Sequence, residues 1–202
     1  MSLAIIVGCT VIAVATGAIR FSFSAWVQND PTPTPASALP SLGTAADGRF
    51  SGSGIAFRYP KNWMTDPDFP IGSNGVAPTG SVVVGMDGRS NVIVETFTLR
   101  TPVTSMNLAQ QRHEVSSVVA SWAQQSNGSV DLAPVDAELG NIPAFLARIR
   151  TLTPDGVPLH STLYFGYRGT TEYFVNCESD GTDLTEITKG CAQIVRSFHV
   201  AT

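Results

Sequence analysis

Residues 172–198 constrain the fold of this chain more than any other stretch. Tyr173, Val175 and Cys177 alternate, and a period of two puts them on one face of a strand. Gly181 ends that pattern, and Leu184, Ile187, Cys191, Ile194, Val195 and Phe198 then recur at helical spacing. Cys191 sits in the middle of this apolar stripe, so it points back at the strand. The strand segment covers ~13 Å at ~3.3 Å per residue, and the helix from Asp183 to Cys191 retraces ~12 Å at ~1.5 Å per residue. The two sulfurs arrive at similar height on facing surfaces, which predicts a Cys177–Cys191 disulfide. Such a bond closes a short loop and contributes roughly 2–4 kcal/mol by restricting the unfolded chain.

The cysteine count fits that pairing. The chain has three cysteines, and Cys9 belongs to an N-terminal apolar run, which leaves Cys177 and Cys191 as the economical pair. A structural disulfide requires an oxidising compartment. Charged residues make up 14% of the sequence, the net charge is −4, and Lys61 and Lys189 are the lysines. A chain this poor in cations has no basic face for nucleic acid, and no nucleic-acid partner is expected.

The first 28 residues read as a membrane anchor. Residues 3–19 carry no charge, and as a helix they span ~25 Å, slightly short of a ~30 Å hydrocarbon core. Phe21, Phe23 and Trp26 follow, as an aromatic belt at headgroup level would. No small-x-small cleavage site follows, which favours a retained anchor over a removed signal. Arg20 beyond the run, with no basic residue before it, goes against the positive-inside rule. Ile6-Val7-Gly8-Cys9 superficially resembles a lipidation box, but an apolar stretch follows it, so Cys9 reads as a small residue in a membrane helix. Residues 29–47, with Pro31, Pro33, Pro35 and Pro40 among Thr, Ala and Ser, form an extended linker. The expectation is a single-pass protein of the cell membrane, with a domain over 48–202 held on the extracytoplasmic side.

Within that domain, Ile55–Tyr59 reads as a strand ended by Pro60, with Trp63 shortly after. Residues 66–80 are rich in Pro, Gly and Asn and read as a surface loop. Residues 81–86 and 92–99 are β-branched strands joined at Asp87-Gly88-Arg89-Ser90. Asn107, with Gln110 in the capping-box position, can start a helix whose stripe is Leu108, Val115, Val118, Val119 and Trp122. Strands over 130–137, 144–153, 158–168 and 172–177 follow, with tight turns at 153–157 and 168–171. If those turns set the register, Phe145, Ile149, Tyr164, Tyr173, Val175 and Cys177 share one face. Leu146, Leu163, Phe165, Tyr167 and Phe174 share the other. Both faces are apolar and both need cover, which one helix can supply on each side. The fold class is α/β (α+β), an antiparallel sheet sandwiched between helices.

The opening Gly54-Ile55-Ala56-Phe57-Arg58-Tyr59-Pro60 with Trp63, and the closing Cys191-Ala192-Gln193-Ile194-Val195-Arg196-Ser197-Phe198, resemble the two ends of a Mog1/PsbP-like domain. The stretch is also similar to the exported LpqN-type proteins of mycobacteria and other actinobacteria. The resemblance covers residues 48–200. It implies an α/β/α fold and an accessory or protein-binding role, and it carries no catalytic residues across. The missing lipidation box departs from LpqN-type lipoproteins, and a helical anchor stands in its place.

Catalytic motifs point nowhere. There is no Gly-x-Ser-x-Gly elbow, no His-Glu-x-x-His, no phosphate loop and no Cys-x-x-Cys, and His113, His160 and His199 are scattered. No cofactor and no metal site are expected. Asp180-Gly181-Thr182-Asp183 with Glu186 looks like a calcium-loop fragment, yet Asp183-x-x-Glu186 is equally a capping box. Candidate partner contacts are Phe69 and Ile71 in the 66–80 loop, and Arg148 and Arg150 on one strand face opposite Ser161 and Leu159. The reading is a non-enzymatic binding module with a protein partner in the cell envelope. Two alternatives stay open: an envelope hydrolase using Asp66, Asp68 and His160, and a small-ligand carrier with a pocket between sheet and helix.

Overall fold

The computed structural model describes residues 48–66, 78–86 and 90–201. The expected anchor and linker, the centre of the 66–80 loop with Phe69 and Ile71, and the tip of the 87–90 turn lie outside these residues. Among the described residues, no helix is long and apolar enough to cross a membrane.

Two antiparallel sheets form. The small one joins β1 (Arg49–Gly52), β2 (Ile55–Arg58) and β9 (His199–Val200) in the order β1-β2-β9. Ser53 and Gly54 turn β1 into β2 with φ of 50° and 74°, the left-handed pair that a two-residue hairpin demands. The sequence reading placed a strand at β2 but missed its partners, because β1 and β9 are short and lack an apolar alternation.

The large sheet contains β3 (Met64–Asp66), β4 (Gly80–Gly85), β5 (Asn91–Val103), β6 (Ser129–Leu139), β7 (Ile142–Leu152) and β8 (Pro158–Ser179). Their order is β3-β4-β5-β8-β7-β6. β8 is a hairpin within one extended element. On a straight strand Ser161 and Glu178 would stand ~56 Å apart at ~3.3 Å per residue. Instead Ser161 Oγ donates to Glu178 Oε2 at 3.4 Å, and the Phe165 and Phe174 rings are 5.1 Å apart. The chain doubles back where Gly169 takes φ 59°, at the tight turn expected there. The first arm pairs with β7 and the second with β5.

α1 (Leu108–Gln125) and α2 (Leu184–Ser197) cover opposite faces of this sheet. On the α2 side, Val92, Val94, Ala144, Tyr173, Val175 and Cys177 pack with Ile187, Cys191, Ile194 and Phe198. On the α1 side, Phe97, Phe145, Ile149, Leu163, Phe165, Tyr167 and Phe174 pack with Val115 and Val119. The helix-sheet-helix layering matches the sequence expectation, but one strand is inverted. Phe145 and Ile149 face α1, not α2, and Leu146 pairs with Tyr164 on the α2 side. The 153–157 turn holds one residue more than the assumed register allowed, and a one-residue slip sends every β7 side chain to the other face.

Both helix starts also differ from expectation. Asn107 turns backward: its Oδ1 accepts from the Thr104 N–H at 2.7 Å, and its Nδ2 donates to the Pro102 carbonyl at 3.0 Å. Asp183 makes no side-chain cap bond either. Asp180 Oδ1 instead accepts from the Thr182 N–H at 3.0 Å, closing the preceding turn. Short polar side chains compete for nearby backbone, and here the local turns win. α2 lies close against β2 and the β3 segment because Gly190 lacks a side chain. A Cβ there would stand 2.1 Å from the buried Trp63 ring.

Candidate functional site

Cys177 on β8 and Cys191 on α2 are bonded, with S–S 2.02 Å and Cα–Cα 5.9 Å. Both are buried in the α2-side core beside Val175, Ile187 and Ile194. This bond ties the helix to the sheet in an apolar, water-poor setting, where a thiolate nucleophile would be disfavoured. Its place is structural.

Arg148 and Arg150 stand on the α2 side of β7, next to the edge strand β6. They pair in register with Thr162 and His160, one residue from the partners expected, for the same reason that β7 is inverted. Both are exposed. Arg150 Nη2 donates to Asp131 Oδ2 at 3.0 Å across to β6. Arg148 makes no ion pair among the described residues, and its charge favours the ionised form of Tyr164 against the burial that raises that phenol's pKa. Around Arg148 the same face carries Leu132, Val135, Leu146 and Tyr164, with Val135 40% exposed. The two arginines are therefore together on one half-open, partly apolar strip. Phe69 and Ile71 lie outside the described residues. His160 shares this strip, while Asp68, offered with it as part of a hydrolase, lies outside the described residues.

The α1 side holds residues that the sequence reading passed over. Alternate positions of β5 present Asn91, Ile93, Glu95 and Phe97, and the second arm of β8 presents Glu178, Asn176, Phe174 and Glu172 directly opposite. Glu172 is fully buried, faces Phe97 across the strands, and has neither carboxyl oxygen in a hydrogen bond. Burial pushes Glu172 up to about 8, and the Tyr167 phenol works against it. Burial alone raises Glu95 to about 7. Burial likewise raises Glu178, offset in part by hydrogen bonds from Asn176 and Ser161. Tyr167 is raised by burial and then by the negative field of Glu172 and Glu114. Of the three carboxyls, Glu172 is the one held in its neutral form at neutral pH.

The signal for these residues was in the sequence. Val92-Ile93-Val94-Glu95-Thr96-Phe97 and Glu172-Tyr173-Phe174-Val175-Asn176-Cys177-Glu178 interrupt apolar strands with acids and amides at a period of two. Read as one face, they mark a polar inlay. No group of three His, Cys, Asp or Glu placed to hold a metal ion occurs among the described residues.

With sheet, helices and disulfide in place, the class of fold is the Mog1/PsbP-like α+β sandwich. Several solved structures share it. Cyanobacterial PsbP (CyanoP) from Synechocystis aligns with a TM-score of 0.55 at 16% identity, over 83% of this chain and 99% of that one. LpqN of Mycobacterium tuberculosis, described as involved in cell envelope biogenesis, aligns with a TM-score of 0.50 at 12% identity, over 73% of this chain and 83% of that one. No protein-family model matches the sequence, and no curated protein matches it. The shared property is the fold.

Proposed function

We propose that the chain is a membrane-held extracytoplasmic accessory module without enzymatic activity, which binds a protein partner of the cell envelope through the strip around Arg148. The observation that carries this reading is the exposed Arg148 among half-open apolar side chains, with no ion pair among the described residues. An arginine set in a partly apolar patch suits a carboxylate on an incoming surface, because its fork of donors is matched by two oxygens. The Cys177–Cys191 bond supports an oxidising compartment. The fold shared with LpqN, a protein of envelope biogenesis, agrees with that location. The apolar run over residues 3–19 supplies the anchor, and Phe69 and Ile71 of the 66–80 loop supply further contacts.

The test is affinity capture from envelope extract with the full chain, beside the Arg148→Glu variant. The reading expects one envelope protein retained by the wild type and lost on charge reversal, at unchanged thermal stability. Equal capture by both proteins sinks the proposed surface. A reporter fused after Thr202 that is active only in the cytoplasm sinks the proposed location.

A further inference from the structure

β5, β4 and the second arm of β8 carry a strip of hydrogen-bond acceptors on the α1 side. Glu95 stands at one end, beside Ser81 of β4. Asn91 and Glu178, paired across the strands, stand at the other. Between them lie Ile93, with Asn176 on one flank and Val83 on the other. From Asn91 to Glu95 the strip runs ~13 Å at ~3.3 Å per residue. α1 packs on β6 and β7, next to this strip.

Asn91 is 4% exposed and Asn176 2%, yet the Oδ1 of each has no hydrogen-bond partner, and neither has Ser81 Oγ. Native proteins leave few buried acceptors unmet, and here three lie along one strip. No Lys, Arg or His occupies any of its positions. Ser81, Ile93 and Glu178 are only half-buried, so the strip reaches the outside. The groups it lacks are donors and positive charge.

We propose that this strip binds an extended organic polyammonium of the polyamine class, one terminal ammonium on Glu95 and Ser81, the other on Glu178 and Asn91, with its methylenes along Ile93 and Val83 and an inner ammonium beside the unmet Asn176 Oδ1. An ammonium offers three donors and no acceptor, the complement of carboxylates and unmet amide oxygens. The two acids stand at opposite ends, which suits separated charges better than one. A single metal ion needs several oxygens converging on one point, and these are spread along the strands. The apolar middle suits a chain of methylenes, which would be wasted on a compact cation.

The full chain is titrated calorimetrically with spermidine at neutral pH, with putrescine, magnesium and uncharged 1,8-octanediol as comparators. Spermidine binds saturably, putrescine binds about tenfold or more weakly because it cannot span both acids, and the other two give no specific heat. Glu95→Gln and Glu178→Gln each weaken spermidine by about tenfold or more, the loss of one charge-assisted contact. Arg148→Glu, on the opposite face, leaves it unchanged, so this test and that of the partner surface fail separately. No saturable heat with spermidine at millimolar concentration overturns the proposal, as does magnesium binding that displaces it or wild-type affinity in both glutamine variants. Melting of each unliganded variant checks folding. If a glutamine variant is unfolded, Ser81→Asp decides instead: an added carboxylate beside Glu95 tightens spermidine, and unchanged or weaker binding overturns the proposal.

Discussion

The two faces of β5 and β8 differ, although the same strands make both. Toward α2 they present Val92, Val94, Tyr173, Val175 and Cys177, closed by a helix and bonded to it. Toward α1 they present Asn91, Glu95, Glu172, Asn176 and Glu178 between aromatic rings. The first face gains stability from dry packing. The second spends some of it, since a buried carboxyl or amide without a partner costs roughly 1–3 kcal/mol. The difference teaches where this domain is built to hold together and where it is open to chemistry.

The largest expected effect lies on the dry face. Replacing Cys177 and Cys191 together by Ala lowers stability by roughly 2–4 kcal/mol, since the pair closes a loop with a sequence separation of 14. The fold survives, because Ile187, Ile194 and Phe198 still dock the helix. Thermal melting with and without reductant measures this in the wild type, and an unchanged midpoint on reduction would remove the bond from the account.

A second effect, dependent on pH, lies on the polar face. Burial holds Glu172 protonated up to about 8 in the folded protein, against 4.5 for an ordinary glutamate. Between those values the folded chain keeps a proton that the unfolded chain has released. Stability from this group is therefore full below about 4.5 and declines as pH rises toward about 8. The slope is ~1.4 kcal/mol per pH unit. Glu172→Gln keeps the shape and removes the titration, so denaturant unfolding at pH 6 and pH 8 should show a flatter profile and a more stable protein at the higher pH. Glu95, raised to about 7, adds to the same slope over a narrower range, so the decline is reduced and not abolished. A wild-type stability that climbs steadily from pH 5 to pH 8 contradicts this.

The smallest effect tests the strip around Arg148. Arg150 and Asp131 form an ion pair at 3.0 Å with side chains 54% and 33% exposed. Water screens such a pair, and Asp131→Asn should cost less than ~1 kcal/mol. A loss comparable to that of the disulfide would mean that this edge of β6 and β7 belongs to the core and is not a free surface.

Much of the α2 face was legible in the chain. The alternation of Tyr173, Val175 and Cys177, and the helical recurrence through Phe198, are local periodicities that survive without knowing what they pack against. They placed the disulfide and the closing helix correctly. The turn at Arg168–Thr171 was legible too, because Gly169 supplies the left-handed φ that its hairpin needs. The polar strip was legible only in hindsight. Its residues come from β4, β5 and β8, far apart in sequence, and each looks alone like an ordinary interruption of a strand.

By itself the sequence determined which segments are strands and helices over most of the domain, that a helix lies on each side of the sheet, and which cysteines meet. Those outcomes follow from side-chain period and chain reach, which are properties of a segment and its neighbour. Only the tertiary structure decided the face of β7, the existence of the small β1-β2-β9 sheet, and the gathering of Glu95, Asn176 and Glu178 on one floor. Register is the physical reason. A pairing offset of one residue is invisible in the pattern of either strand, yet it reverses every side chain. Which acids become neighbours, and how far burial raises their pKa, depends on that offset.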